Sequence, residues 1–202
     1  MTAFVSWPET PRDITFLYAP GAGSNVHDPF GRFICRELAS HGVRAVRFQF
    51  PFQEAKRRAP DKTMVLEETW RAAIKQFGDG HTIAGGRSMG GRIATHAAAH
   101  GEQVDGLALF AYPLHPPGKP ERSRDEHLAA IAVPVLFCSG TRDAFGSVEE
   151  LRQAAALVPN ATLSLLDAAD HGFNVPKASG RTRDDVYADA LASFREWLEP
   201  LV

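Results

Sequence analysis

A glycine-rich turn in the middle of the chain, Gly85-Gly86-Arg87-Ser88-Met89-Gly90-Gly91, joins an apolar segment to an alanine-rich one. The residues before it, 81–84, predict a buried strand, and those after it, 92–99, predict a helix. Only small neighbours let a strand turn this sharply into a helix, and the turn holds the central serine in a strained conformation above the sheet. N–H groups at the start of the helix then lie beside that hydroxyl. The turn therefore predicts an α/β chain in which Ser88 is a catalytic nucleophile.

A serine hydroxyl is a weak nucleophile until a base takes its proton and an acid orients that base. Two downstream segments, 133–138 and 161–166, predict buried strands, and the loops that follow them contain Asp143 and His171. Ligands of open parallel sheets bind at the carboxyl edge, where such loops meet. We therefore expect Ser88, Asp143 and His171 to converge at that edge as nucleophile, acid and base.

Other acids and bases fit this arrangement less well. Asp167 and Asp170 lie close to His171 in the sequence. A carboxylate so near rarely reaches the ring nitrogen from the correct side, so Asp143 is favoured. His115 follows a strand end and borders the expected cleft, but its position does not suit the base.

The turn at 86–92, Gly-Arg-Ser-Met-Gly-Gly-Arg, and the loop at 19–25, Ala-Pro-Gly-Ala-Gly-Ser-Asn, together resemble a known family. The chain is similar to small dienelactone-hydrolase-like proteins of the α/β hydrolase superfamily, from about residue 14 to 198. This resemblance implies an α/β-hydrolase fold and a triad in the chain order serine, aspartate, histidine. It also implies that the N–H groups of Ala22 and Met89 form an oxyanion hole. It implies no particular substrate.

Strand and helix patterns alternate along the chain without a linker. We therefore predict one domain over 1–202, a three-layer α/β/α sandwich with about six mostly parallel strands, in which 1–13 form an N-terminal extension or edge segment. The connection 112–131 is rich in proline and too short for a lid domain, which favours a small soluble ester or thioester over a lipid interface. The predicted strands are 14–19, 43–49, 81–86, 104–111, 133–138 and 161–166.

Several residues near the expected cleft are candidates for substrate binding. Phe52, Tyr112, Phe145 and Phe173 follow strand ends or lie in the catalytic loops, although each fits a core position equally well. Arg87 directly precedes the nucleophile and is a candidate to hold a substrate carboxylate. The alternative, an ion pair beneath the turn, is favoured.

Two cofactor patterns are incomplete. The loop at 21–26 resembles a dinucleotide-binding glycine turn, but its third glycine is missing and the next strand, 43–50, ends without an acidic residue. His96 and His100 lie one helical turn apart, as in some zinc sites, but alanines occupy all three positions between them. The sequence predicts neither a cofactor nor a metal.

Composition limits the partners. The net charge of −2 does not favour nucleic-acid binding. The first residues lack the basic start and apolar core of a signal peptide, and no apolar run is long enough to span a membrane. The two cysteines, Cys35 and Cys138, fall in predicted buried elements and fit reduced thiols of a cytoplasmic protein. The sequence says nothing about the oligomeric state.

These observations favour a serine hydrolase of carboxylesterase or thioesterase type, acting on a small-molecule substrate through an acyl-enzyme on Ser88. The alternative is a noncatalytic protein-interaction domain on the same scaffold, since a fold alone does not establish an activity. The presence of all three residues of a triad argues against that alternative, because a scaffold has no physical need for them.

Overall fold

A computed structural model of the chain describes residues 1–202, and its seven strands form a single sheet in the order β1-β3-β2-β4-β5-β6-β7. The six strands from β2 onward are parallel, as predicted. Their bounds differ from the predicted ones by at most two residues at either end. The strands are β1 Ala3–Ser6, β2 Ile14–Ala19, β3 Arg44–Phe48, β4 His81–Arg87, β5 Gly106–Phe110, β6 Val135–Gly140 and β7 Ala161–Leu166.

The seventh strand lies in the predicted edge segment. β1 pairs antiparallel with β3, with Ala3 opposite Phe48 and Ser6 opposite Ala45. The apolar–polar signal of these four residues is too short to identify a strand from the sequence. This edge strand within residues 1–13 raises the strand count from six to seven.

Helices cover both faces of the sheet, and their starts follow local capping chemistry. Asp28 accepts a hydrogen bond from the N–H of Gly31 at the start of α1, where Pro29 is the first helical residue. Ser147 and Thr182 form capping boxes at α5 and α6. The helices are α1 Pro29–Ser40, α2 Pro51–Glu54, α3 Thr63–Phe77, α4 Met89–Ala99, α5 Val148–Ala156 and α6 Arg183–Leu198.

Two apolar cores lie on opposite faces of the sheet. One contains side chains of α3, α4 and α5, including the fully buried Trp70, whose indole N–H donates to the carbonyl of Gly90. The other contains side chains of α1 and α6, with Phe30 and Phe194 each packed edge-on against Phe110. This is the three-layer α/β/α sandwich that the alternating pattern predicted, and its single sheet has no added lid domain.

The strand order reverses beside β2, whose two neighbours are β3 and β4. At such a switch point the connections leave in opposite directions and open a crevice at the carboxyl ends of the strands. Ala19, the last residue of β2, lies opposite Gly86 of β4. The loop after β2 and the turn after β4 therefore meet in this crevice.

Candidate active site

The turn at the end of β4 has the strained geometry that its sequence predicts. Ser88 has φ 52° and ψ −122°, a region that residues with a side chain seldom occupy. Its N–H donates to the carbonyl of Phe110 at 2.8 Å. A Cβ on Gly86, which has φ +142°, or on Gly90 would lie 2.0 Å from the carbonyl oxygen of Ala19. Both glycines of the Gly-x-Ser-x-Gly pattern are therefore required by the close approach of β2.

A continuous chain of hydrogen bonds begins at the serine. Its hydroxyl oxygen lies 2.9 Å from Nε2 of His171, and Nδ1 of the same ring lies 2.8 and 3.0 Å from the two carboxylate oxygens of Asp143. Because a carboxylate only accepts, the proton of the neutral ring belongs on Nδ1, and Nε2 is left to accept from Ser88. The structure thus brings together the three residues that the sequence singled out.

The acid and the base are each held by a further contact. Asp143 is only 6% exposed and also accepts from the N–H of Phe145 at 2.8 Å. The ring of Phe145 stacks on the imidazole of His171, with centroids 4.0 Å apart and an interplanar angle of 26°. These contacts restrict rotation of the imidazole between carboxylate and hydroxyl.

The alternative acid and base lie elsewhere. Asp170 closes its own turn, since one carboxylate oxygen accepts from the N–H groups of Gly172 and Asn174. His115 is buried between the carbonyl of Pro116 and the carboxylate of Glu150. Neither contacts the serine.

The two expected oxyanion donors lie beside the serine. Met89 is the first residue of α4, so its N–H has no acceptor within the helix. The loop carrying Ala22 passes so close that a Cβ on Gly21 would lie 3.4 Å from that of Ser88. Gln53 holds this loop by donating to the carbonyls of Gly21 and, at 2.8 Å, of Ser24.

Arg87 lies between the nucleophile turn and the histidine loop. Its guanidinium donates to the carbonyl of His171 at 3.0 Å, lies 3.4 Å from the carboxylate of Asp28, and sits over the ring of Phe173 at 5.3 Å. Asp28 is only 3% exposed and also accepts from Tyr18, whose pKa is raised by burial and then by this carboxylate. The structure therefore shows an internal ion pair for Arg87, the alternative that its place beneath the turn favoured.

A cavity of about 630 Å³ opens above the serine. Of the four aromatic candidates, only Phe145 lines it. Phe52, Tyr112 and Phe173 are at most 1% exposed and belong to the two cores, so the expectation that they line the cleft is not met. These residues lie near the site because they follow strand ends, but their side chains pack in the apolar cores and not against the cavity. The cavity is lined by Gly21, Ala22, Gly23, Ser24, Asp28, Pro60, Arg87, Ser88, Met89, Arg92, Pro113, Arg124, Phe145 and His171.

Two arginines of this cavity, Arg92 and Arg124, were not among the predicted site residues. A signal existed for Arg92, because a residue four positions after Ser88 on a helix shares its face. Arg124 lies in the proline-rich connection after β5, and nothing local in the sequence indicates where that connection folds.

The histidines of α4 contact protein groups. His100 lies 2.9 Å from the carboxylate of Glu67, and His96 stacks on His127 with ring centroids 3.8 Å apart. Burial first, and then the neighbouring charge of Arg92, lower the pKa of His96 and of His127 to about 4. No group of three or more His, Cys, Asp or Glu side chains is arranged to hold a metal ion.

A family model described as an alpha/beta hydrolase domain matches residues 12–199. The chain belongs to the alpha/beta hydrolase family. No helix of this hydrolase has the length and apolar character needed to cross a membrane.

Solved structures share the fold of this hydrolase. A lidless α/β serine hydrolase from Xanthomonas campestris has 20% identity and a TM-score of 0.73, covering 96% of this chain and 88% of its own. The esterase Est2 from Thermogutta terrifontis, solved with butyrate, has 19% identity and a TM-score of 0.74, covering 98% and 88%. Est1E from Butyrivibrio proteoclasticus has 13% identity and a TM-score of 0.76, covering 98% and 94%.

Proposed function

We propose that this α/β hydrolase is a serine hydrolase that cleaves a small carboxylic ester or thioester through an acyl-enzyme on Ser88. The observation that carries this proposal is the hydrogen-bonded chain from Ser88 through His171 to Asp143, open to the cavity at its serine end. A purely structural serine has no need of a histidine and a buried carboxylate aligned behind it.

In the first half of the reaction His171 takes the proton of Ser88 as the oxygen attacks the acyl carbon. The carboxylate of Asp143 keeps the imidazole in the accepting tautomer and stabilises the imidazolium that forms. The N–H groups of Ala22 and Met89 donate to the oxyanion of the tetrahedral intermediate. A donor of this kind contributes about 3 kcal/mol to transition-state stabilisation.

The imidazolium then gives its proton to the leaving alcohol or thiol, and the acyl group stays on Ser88. In the second half His171 activates a water molecule, which attacks the acyl carbon, and the carboxylic acid leaves as the serine regains its proton. In this scheme Arg87 is a positioning residue, because it holds the histidine loop through a backbone carbonyl.

The substrate is small and soluble in this proposal. A cavity of about 630 Å³ suits a ligand of modest size, and no lid domain covers it. The likeness to the lidless serine hydrolase and to the butyrate-bound esterase supports the same class. The Gly-Arg-Ser-Met-Gly-Gly-Arg turn supports placing the chain in the compact dienelactone-hydrolase-like branch, and the two buried, unpaired thiols support a cytoplasmic setting.

The test needs no knowledge of the substrate. Intact-mass analysis after treatment with a fluorophosphonate probe is expected to show one adduct on the wild type and none on Ser88→Ala. Ser24→Ala is the matched control, because it removes another hydroxyl of the same cavity and is expected to keep the adduct. Hydrolysis by Ser88→Ala is expected to fall about a million-fold.

A folded wild type that takes no adduct would refute the serine mechanism. A noncatalytic protein-interaction domain would then be the favoured hypothesis for this chain.

A further inference from the structure

The charges around the cavity do not balance. Three arginines and one carboxylate line it: Arg87, Arg92, Arg124 and Asp28. The carboxylate of Asp28 forms an ion pair with Arg87 at 3.4 Å and accepts a hydrogen bond from the hydroxyl of Tyr18 at 2.6 Å. Neither Arg92 nor Arg124 has a carboxylate within ion-pair distance. Two cationic side chains therefore share the cavity with the nucleophile and form no ion pair with a carboxylate.

Arg92 is partly buried and incompletely hydrogen-bonded. Its Nε is buried without a partner, and one terminal nitrogen donates to Nε2 of His96 at 3.1 Å. Burial lowers its pKa, and the neighbouring charge of Arg124 lowers it further. An anionic ligand would therefore stabilise this partly buried guanidinium by supplying an ion pair and further hydrogen bonds.

The contact with His96 also positions this guanidinium. The ring must be neutral to accept from Arg92, and burial favours that form because it lowers the pKa of His96 to about 4. Stacking on His127 and the nearby carboxylate of Glu67 hold the ring on its other sides. The helix face that begins at Ser88 thus presents a positioned cation one turn later.

The second guanidinium comes from the connection between β5 and β6. The backbone carbonyl of Arg124 accepts from the hydroxyl of the buried Tyr112 at 2.9 Å, which ties this part of the connection to the core. The Arg124 side chain is half-buried and lines the cavity together with Arg92. Like charges held in one cavity repel each other, and an anion between them removes that repulsion.

We propose that Arg92 and Arg124 bind a carboxylate at the far end of the substrate acyl chain. The substrate class is then a monoester or monothioester of a dicarboxylic acid. Guanidinium forks match a carboxylate by paired hydrogen bonds. Arg92 follows Ser88 by one turn, about 6 Å along the helix axis, so both residues lie on one helix face and line the same cavity. This inference rests on the proposed function, because it names the substrate of the same site.

Two chromogenic esters test it. The 4-nitrophenyl monoester of adipic acid carries the free carboxylate, and 4-nitrophenyl methyl adipate carries the same chain with that carboxylate capped. Release of 4-nitrophenol gives kcat/KM for each, and the ratio of anionic to neutral ester isolates the charge. We expect wild type to favour the anionic ester by about tenfold or more, as hydrogen bonds to charged groups predict.

Two substitutions and a control assign that preference. Arg92→Gln and Arg124→Gln are each expected to lower the ratio about tenfold, mainly through a higher KM for the anionic ester. Arg122→Gln removes an exposed cation of the same connection that does not line the cavity, and is expected to leave the ratio unchanged. In titration calorimetry, adipate is expected to bind the Ser88→Ala variant. It is expected not to bind the double variant that combines Ser88→Ala with Arg92→Gln.

The outcomes separate the two proposals. Equal hydrolysis of both esters by wild type would overturn the carboxylate site and leave the serine hydrolase standing. If Arg122→Gln lowers the ratio of anionic to neutral ester as much as Arg92→Gln and Arg124→Gln do, the carboxylate site is also overturned. The net charge of the protein would then explain the preference. Adipate binding without hydrolysis or a fluorophosphonate adduct would support the anion site and refute the hydrolase. An absence of adipate binding would count against the site whatever the hydrolysis.

Discussion

Replacing Arg87 with methionine tests whether this arginine stabilises the fold or binds substrate. The substitution keeps an unbranched apolar stem over the ring of Phe173 but removes the guanidinium. It deletes the 3.0 Å hydrogen bond to the carbonyl of His171 and the 3.4 Å ion pair with Asp28. The carboxylate that remains is only 3% exposed.

The cost follows from these contacts. A hydrogen bond with a charged donor contributes about 1.5–3 kcal/mol. The ion pair adds less, because its distance is long and the Arg87 side chain is 18% exposed. Asp28 also keeps its bonds from Tyr18 and from the N–H of Gly31, which limits the cost of leaving it buried. We therefore expect a loss of about 2–4 kcal/mol, or about 5–15 °C in Tm for a domain of this size.

Thermal unfolding measures this loss, and a double-mutant cycle assigns it. Asp28→Asn keeps an acceptor oxygen for Tyr18 but removes the charge. If the pair is coupled, Arg87→Met combined with Asp28→Asn costs less than the sum of the single changes by about 1 kcal/mol. The activity of Arg87→Met is expected to fall for charged and neutral esters alike, since the histidine loop loses an anchor.

The opposite pattern would refute the reasoning. A variant with an unchanged Tm that loses activity only on the anionic ester would identify Arg87 as a substrate-binding residue. An additive cycle would show that the arginine and the aspartate are not energetically coupled.

Three further predictions follow from particular contacts. Gly90→Ala places a Cβ 2.0 Å from a backbone carbonyl oxygen and is expected to lower Tm by at least 5 °C. Gly23→Ala serves as the control, because a Cβ there meets nothing within 4 Å. Equal Tm values for the two variants would contradict the packing argument. Asp143→Asn is expected to lower kcat about 10⁴-fold through the wrong imidazole tautomer, and a loss below tenfold would remove it from the triad. The folded pKa of His96 and of His127 is about 4, below the unfolded value near 6.5, so the unfolded chain binds more protons between these values. The free energy of unfolding is therefore expected to fall as the pH drops from 6.5 to 4. His96→Asn should make this fall smaller than in the wild type. An equal fall in both proteins would contradict the lowered pKa of His96.

The sheet was predictable because its signals are local. Each parallel strand is a short apolar run bounded by turn residues, and the glycine turn identifies the end of β4 directly. β1 was not predicted as a strand, since its four residues show no clear alternation and its pairing with β3 joins residues 39 to 45 positions apart. The helices capped by Asp28, Ser147 and Thr182 likewise begin where a cap residue and the N–H that it accepts from lie three positions apart.

The catalytic residues of the candidate site were predictable from the sequence, and the residues of the cavity wall were not. Ser88, Asp143 and His171 each follow a strand end, and the parallel sheet brings such positions to one edge whatever the details of packing. The cavity wall follows no such rule. Phe145 and Phe173 both lie in loops near the catalytic groups, yet one stacks on the imidazole and the other is enclosed in the core.

The sequence by itself determined the alternation of strands and helices, the strained turn at Ser88, and the strand ends that present an acid and a base. These properties depend on residues within a few positions of each other. Only the tertiary structure decided that Arg87 pairs with Asp28, 59 positions away, while Arg92 and Arg124 face the cavity without a carboxylate. The partner of a charged side chain depends on which elements pack together, and no local pattern encodes that choice.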